Sequence, residues 1–303
     1  MIAFYTDHFV LPLPDGHSFP MRKYSRLREM VIAEGVIAPA DLRVPDAATR
    51  EDLLLVHTPR YIDAVSDGTL DPREQRRIGF PWSPAMAERA RRSVGGTIAA
   101  TRQALGDGVS ANLAGGTHHA FPDHGEGYCV FNDVAVAARV ARRDHGISRV
   151  LIVDLDVHQG NGTAHIFADD ATVFTLSVHA AGNFPFRKER SDLDVELPDG
   201  TGDAAYLAAL DDALDAALER AAPGLVFYVA GADPYEGDRL GKLKLTVRGL
   251  RERDRRVFDR VREFGGSGVP CVVTMAGGYC PDVDMIASIH ANTLREAASR
   301  TNP

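Results

Sequence analysis

Five short apolar runs rich in β-branched residues, each ending in a polar loop, constrain this chain more than any other feature. The runs are Ser110–Ala114, Arg149–Val153, Thr172–Val178, Leu225–Ala230 and Pro270–Ala276. Four of them lead, after a loop, to helix-like stretches at Asn132–Asp144, Ala204–Ala221, Val247–Phe264 and Asp282–Ser299. The run ending at Val153 has a shorter candidate helix near Thr163–Phe167. Apolar strands alternating with helices predict a parallel sheet with helices on both faces. The N-terminal third adds a strand near Ile2–Tyr5 and helices near Met21–Glu34 and Pro84–Leu105. No repeat, low-complexity tract or Gly/Ser/Pro-rich linker divides the chain, so residues 1–303 read as a single three-layer α/β domain.

The polar residues fall where such a sheet binds ligands, in the loops beyond the carboxyl ends of its strands. After the first run come Gly115, Gly116, Thr117, His118 and His119; the second ends in Asp154-Leu155-Asp156-Val157-His158. The third reaches Ser177 and His179, the fourth Asp233, and the fifth Gly277-Gly278-Tyr279. Folding should therefore bring three Asp, four His and one Tyr together.

Asp156 and His158 are two apart, so in an extended segment they leave the same face. An oxygen and a nitrogen ligand on one face can share a zinc ion with a third protein ligand and water, and Asp233 is the best third ligand. The alternative is that Asp156 and His158 merely cap the next helix or hold a turn; the motif alone already favours metal, and Asp233 and the histidines strengthen that. His118 and His119 follow two glycines that permit close approach of a substrate to the backbone. One imidazole can take a proton from a metal-activated water and later protonate a leaving amine, while the other stabilises developing charge. Asp154 either orients one imidazole or is a buried turn carboxylate. Tyr279, in a glycine-flanked turn, can donate a hydrogen bond to a carbonyl oxygen becoming an oxyanion.

Composition excludes several classes. Hydrophobic residues at 45% and charged residues at 25% are ordinary globular values. With 34 Lys+Arg against 42 Asp+Glu, a formal charge of −8 gives no reason to expect nucleic acid and predicts a mild attraction for cationic substrates. No apolar run is long enough to span a bilayer, and the N-terminus lacks signal-peptide order. Cys129, Cys271 and Cys280 show no zinc-knuckle spacing, which fits a reduced, cytoplasmic protein.

Together, Gly-Gly-Thr-His-His-Ala (115–120), Gly-Tyr-Cys-Val-Phe-Asn-Asp (127–133), Asp-Leu-Asp-Val-His-Gln-Gly-Asn-Gly (154–162), Gly-Ala-Asp-Pro (231–234) and Gly-Gly-Tyr (277–279) resemble the histone deacetylase family, in its order. The resemblance implies an arginase-like fold and a zinc-activated water that hydrolyses the amide of an acyl-lysine or acylated polyamine. It makes Asp156, His158 and Asp233 the zinc ligands, His118 and His119 the proton-handling pair, and Tyr279 the carbonyl polariser. It implies a narrow tunnel with Tyr128 and Phe184 on its walls and Gly127 and Gly277 beside the substrate, and a structural monovalent cation, commonly potassium, at Asp154 and Ser177. His118 matches the family histidine held by an aspartate, here Asp154. His119 matches the one facing position 161, where this chain has neutral Asn161, so His119 is expected to be the base.

Asn161 replaces the aspartate of class I enzymes, and Gln159 replaces a second histidine. Both look like the class IV branch and its bacterial relatives, as do His17-Ser-Phe-Pro and Lys23. That branch includes members that remove long fatty-acyl groups, and the family includes acetylpolyamine amidohydrolases and acetoin-utilisation proteins. Two other readings are a binuclear-manganese enzyme of the ureohydrolase kind and a non-catalytic acyl-lysine binding protein. Gln159 and Asn161 argue against the first, and the complete ligand and proton-handling set argues against the second.

Overall fold

The computed structural model describes residues 1–14, 16–266 and 268–300. Eight strands form one sheet in which every paired neighbour runs parallel, in the order β2-β1-β3-β8-β7-β4-β5-β6. They are β1 (Ala3–Phe4), β2 (Leu42–Arg43), β3 (Val109–Asn112), β4 (Val150–Asp154), β5 (Val173–Ala180), β6 (Leu193–Leu197), β7 (Leu225–Val229) and β8 (Cys271–Thr274). The helices are α1 (Lys23–Ala33), α2 (Arg50–Leu53), α3 (Pro59–Asp67), α4 (Pro72–Ile78), α5 (Pro84–Asp107), α6 (Asp133–His145), α7 (Asn161–Phe167), α8 (Asp203–Ala221), α9 (Val247–Glu263) and α10 (Val283–Ala298). No helix among the described residues is long and apolar enough to cross a membrane.

The strand period of two builds two cores. Leu151, Val153, Val226, Tyr228, Cys271 and Val273 point to the face covered by α1, α8, α9 and α10. Val150, Ile152, Leu225, Phe227, Val229 and Val272 point to the face covered by α3, α5 and α6. Both sides of the central strands are dry, which is why they read as continuous apolar runs rather than as alternation. Helix starts follow local chemistry: Asn132, Thr246 and Asp282 accept backbone N–H bonds at the first turns of α6, α9 and α10.

One polar group sits deep in the first core. Arg253 on α9 is fully buried, and its Nη1 donates to the carbonyls of Gly231 (2.7 Å) and Leu155 (3.3 Å). Its Nε donates to Asp254 at 2.9 Å, and Asp254 also accepts the hydroxyls of Tyr228 (2.5 Å) and Thr293 (2.6 Å). A guanidinium and a carboxylate taken out of water are tolerated only when paired and hydrogen-bonded in this way. The network fastens the exits of β4 and β7 to α9 and α10.

Removing one partner leaves the other charge stranded. Asp254→Ala should lower the unfolding free energy by about 3–5 kcal/mol, whereas Tyr228→Phe should cost only about 1 kcal/mol. Urea unfolding followed by circular dichroism measures both, with an unchanged slope showing that only stability has moved.

Candidate active site

Beyond β4 the chain bends into a loop at residues 156–158. Leu155 and Val157 are buried in the apolar core, which turns Asp154, Asp156 and His158 the other way. Asp154 Oδ1 accepts the Asp156 N–H, and Asp156 Oδ1 accepts the His158 N–H, so each acid fixes the next turn of the loop. Asp233 arrives from the loop after β7, the strand beside β4, and its Oδ1 accepts the Val157 N–H at 2.9 Å. His158 Nδ1 then lies 2.9 Å from Asp156 Oδ1 and 3.3 Å from Asp233 Oδ2. One ligand atom from each of Asp156, His158 and Asp233 falls within 4.8 Å of the others, and all three residues are buried.

These groups fit a cation. Among the described residues, Asp233 Oδ2 is a buried acceptor with no hydrogen-bond partner, His158 Nδ1 at 3.3 Å being a fellow ligand atom, and the three ligand atoms lie close together. Burial, then Asp156 beside it, pushes the Asp233 carboxyl up to about 7. Against burial, Asp156 and Asp233 raise the His158 imidazole to about 10. Such shifts describe acids crowded into a dry space, where a divalent ion supplies the charge otherwise taken from protons. Two oxygens and one nitrogen are a donor set suited to zinc, with a position left open.

The histidine pair comes from the loop after β3, which lies two places from β7 with β8 between. Gly115 and Gly116 both have positive φ (76° and 72°), and a Cβ on Gly116 would stand 2.5 Å from that of Ala276. Asp133 at the start of α6 accepts from the backbones of Gly116 and Thr117, fixing the loop. His118 Nδ1 lies 2.6 Å from Asp154 Oδ2, and His119 Nδ1 lies 2.7 Å from Asn161 Oδ1, the two pairings expected from the sequence. Against burial, Asp154 and Asp156 push His118 up to about 9. Burial, then His118 and His158, holds His119 well below the usual histidine range. The two rings, 4.0 Å apart, are thus biased in opposite directions, His118 toward the imidazolium and His119 toward the neutral imidazole.

Glu126 is a participant that the sequence reading did not single out. Its Oε1 accepts from Asn161 Nδ2 at 2.6 Å, so the amide nitrogen faces Glu126 and the amide oxygen faces His119. His119 therefore donates through Nδ1 and keeps its Nε2 lone pair free. Nothing in the residue spacing signals this, because Glu126 and Asn161 meet only through the folded loops.

Gly127 has φ 56° and Tyr128 has φ 66°, a left-handed pair held by the last carbonyls of α4: Gly127 N–H donates to Arg77 and Tyr128 N–H to Ile78. A Cβ on Gly127 would meet His119 at 2.7 Å and Phe184 at 3.2 Å. Gly127, Tyr128 and Phe184 thus line, with His119, His158 and Tyr279, a cavity of about 570 Å³. Tyr279 is held by its backbone: its N–H donates to Asp238 and its carbonyl accepts from Arg239. Among the described residues its hydroxyl has no hydrogen-bond partner, and burial, then Asp156 and Asp233, keeps the phenol protonated.

Gly277, expected beside the substrate, is placed beneath the ligand carboxylates, where its N–H donates to Asp156 Oδ2 at 2.9 Å. Asp154 and Ser177 are register partners across β4 and β5, and Ser177 Oγ lies 2.9 Å from His179 Nδ1. Lys23 is buried behind this loop and donates to the Ala276 carbonyl at 3.0 Å.

A parallel α/β sheet with a buried carboxylate–imidazole triad and a histidine pair at its strand ends defines a class of hydrolytic enzyme. The histone deacetylase domain matches residues 17–295 of this chain. An uncharacterized protein of Picosynechococcus is 45% identical over 97% of both chains, and histone deacetylase 2 of Arabidopsis thaliana is 34% identical over 95% of this chain and 76% of its own. The crystal structure of a histone deacetylase homologue from Aquifex aeolicus superposes with a TM-score of 0.82 at 28% identity, covering 100% of this chain and 85% of that one. The chain belongs to the histone deacetylase family and is a hydrolase acting on amides.

The glycine beneath the triad gives a sharp test. A methyl group at position 277 would stand 1.9 Å from Asp233 Oδ2 and 2.6 Å from Asp156 Oδ2. Gly277→Ala should lower divalent-metal affinity by about 10–100-fold, a loss expected when groups supporting a metal site are disturbed. Titration against a competing chelator measures it, with circular dichroism checking that the protein is folded.

Proposed function

We propose that the protein is a zinc-dependent deacylase that removes an acyl group, acetyl or longer, from a lysine side chain or a polyamine-like amine. The observation that carries this reading is the convergence, among the described residues, of three things: the Asp156–His158–Asp233 triad, His119 with its Nδ1 directed at Asn161, and the Tyr279 hydroxyl without a hydrogen-bond partner.

Asp156, His158 and Asp233 would hold the zinc, which when bound makes water acidic enough to attack and polarises the acyl carbonyl. His119 Nε2 accepts the proton of the attacking water, its Nδ1–H being directed at Asn161. His118, paired with Asp154, contributes positive charge beside the developing negative oxygen. Tyr279 donates its hydroxyl proton in a hydrogen bond to that oxygen. As the C–N bond breaks, His119 returns its proton to the departing amine, leaving a carboxylic acid and a free amine.

Two features support one catalytic metal over a manganese pair. Gln159 is turned away, its side chain bonded to the Glu189 backbone and to Asp194, and Asn161 is taken up by His119 and Glu126. Asp154 and Ser177 are the proposed site of a structural monovalent cation such as potassium. Three free, buried cysteines fit a reducing, cytoplasmic setting.

The reading is tested by stripping the protein of metal, restoring zinc or manganese, and measuring kcat/KM on peptides and polyamines carrying acetyl to myristoyl groups. No turnover on any member with zinc, or turnover only with two manganese ions bound, would sink it. Within that assay Tyr279→Phe should reduce kcat by on the order of a hundredfold, as for loss of one oxyanion donor. Its zinc content should be unchanged, and a drop of less than about threefold would remove the phenol from the chemistry.

A further inference from the structure

The outer part of the cavity has a charge opposite to that of the chain. Beyond the buried His119 and His158, it is lined by Arg76, Arg77 and Lys242 against a single carboxylate, Glu126, on a protein of formal charge −8. Lys242 is engaged, donating to the Gly182 carbonyl at 2.6 Å and lying 3.3 Å from Asp199. Glu126 is engaged by Asn161. The side chains of Arg76 and Arg77 are exposed and have no partner among the described residues. The backbone that carries them is tied to the site, because the Arg77 carbonyl accepts the N–H of Gly127, the residue packed against His119. Two apolar side chains share this mouth, Phe186 at 87% exposure and Leu240 at 41%. Large apolar groups left in water beside a cavity mark a surface that makes contact.

We infer that the mouth selects an acidic peptide: a segment whose acyl-lysine enters the cavity while neighbouring Asp or Glu side chains meet Arg76 and Arg77 and its backbone crosses Phe186 and Leu240. Guanidinium groups match carboxylates in shape as well as charge. Contacts with exposed groups lining the cavity suit a peptide extending beyond the lysine. An acylated polyamine carries further ammonium groups to the same place and is repelled by it, which reverses the attraction for cations expected from the net charge. The inference rests on the deacylase reading and narrows its substrate. The last turn of α4 also favours basic residues through the helix dipole, so the test reads substrate preference and not stability.

The experiment uses the zinc-loaded protein and two peptides with the same acyl-lysine, one flanked by glutamates and one by lysines. Direct binding is followed by fluorescence anisotropy and turnover by kcat and KM. Wild-type protein should favour the acidic peptide roughly tenfold in affinity and in kcat/KM, through KM, as two exposed charge pairs allow. The preference should shrink in about 0.5 M salt, where the screening length falls to a few ångströms. In the double variant Arg76→Gln/Arg77→Gln it should fall to about twofold with kcat unmoved, and Arg76→Glu/Arg77→Glu should invert it. Equal hydrolysis of the two peptides by wild type, or a preference that survives both double variants, overturns the inference and leaves the deacylase standing. Charge-selective binding with hydrolysis of neither peptide does the reverse.

Discussion

Asp156 and Asp233, both buried, are brought together with His158 between them. Two carboxylates so close repel, and burial withholds the solvent that would soften the repulsion. The surrounding architecture bears that cost. Backbone N–H groups of Val157, His158 and Gly277 point at the acids, and Arg253 grips the carbonyls just before them. The side chains themselves come from loops after β4 and β7, which are neighbours in the sheet. Only a rigid frame of this sort can hold like charges at short range and have them ready for a cation.

The same frame gives the two histidines different characters although they are adjacent in the chain. His118 reaches a carboxylate and lies near Asp156, which raise its pKa against burial, while His119 has only an amide partner and is held low by burial and by His118 and His158. A base and a fixed positive charge are thereby available side by side without exchanging roles.

Much of this was legible in the sequence because it depends on local pattern. The inner strands β3, β4, β5, β7 and β8 are largely buried on both sides and read as mostly apolar runs, and the loops after them hold the site's polar residues. The short edge partner β2 and strand β6 were missed: Leu193–Leu197 is Leu-Asp-Val-Glu-Leu and mostly half exposed, so its strand character comes from pairing with β5. Helices α2, α3 and α4 were missed too, although Thr58-Pro59 before α3 and Asp71-Pro72 before α4 are start signals and Gly68 and Gly79 are stops. The pairings His118–Asp154 and His119–Asn161 were expected and are present, whereas Glu126, the buried Arg253 and the place of Gly277 depend on loops meeting in space. Net charge could not show this either: it averages over a surface on which Arg76, Arg77 and Lys242 gather at the cavity.

The neighbouring strands that supply the triad are far apart in the chain, β4 ending at Asp154 and β7 beginning at Leu225. On a growing chain, Asp156 and His158 leave the ribosome long before Asp233 is made, and two ligands on one loop are a weak chelate. β5, β6 and α8 are all made before β7 can pair with β4. Capture of the cation thus waits on the pairing of β4 with β7, and a nascent or truncated chain lacking β7 has little means of sequestering metal ions from the cell.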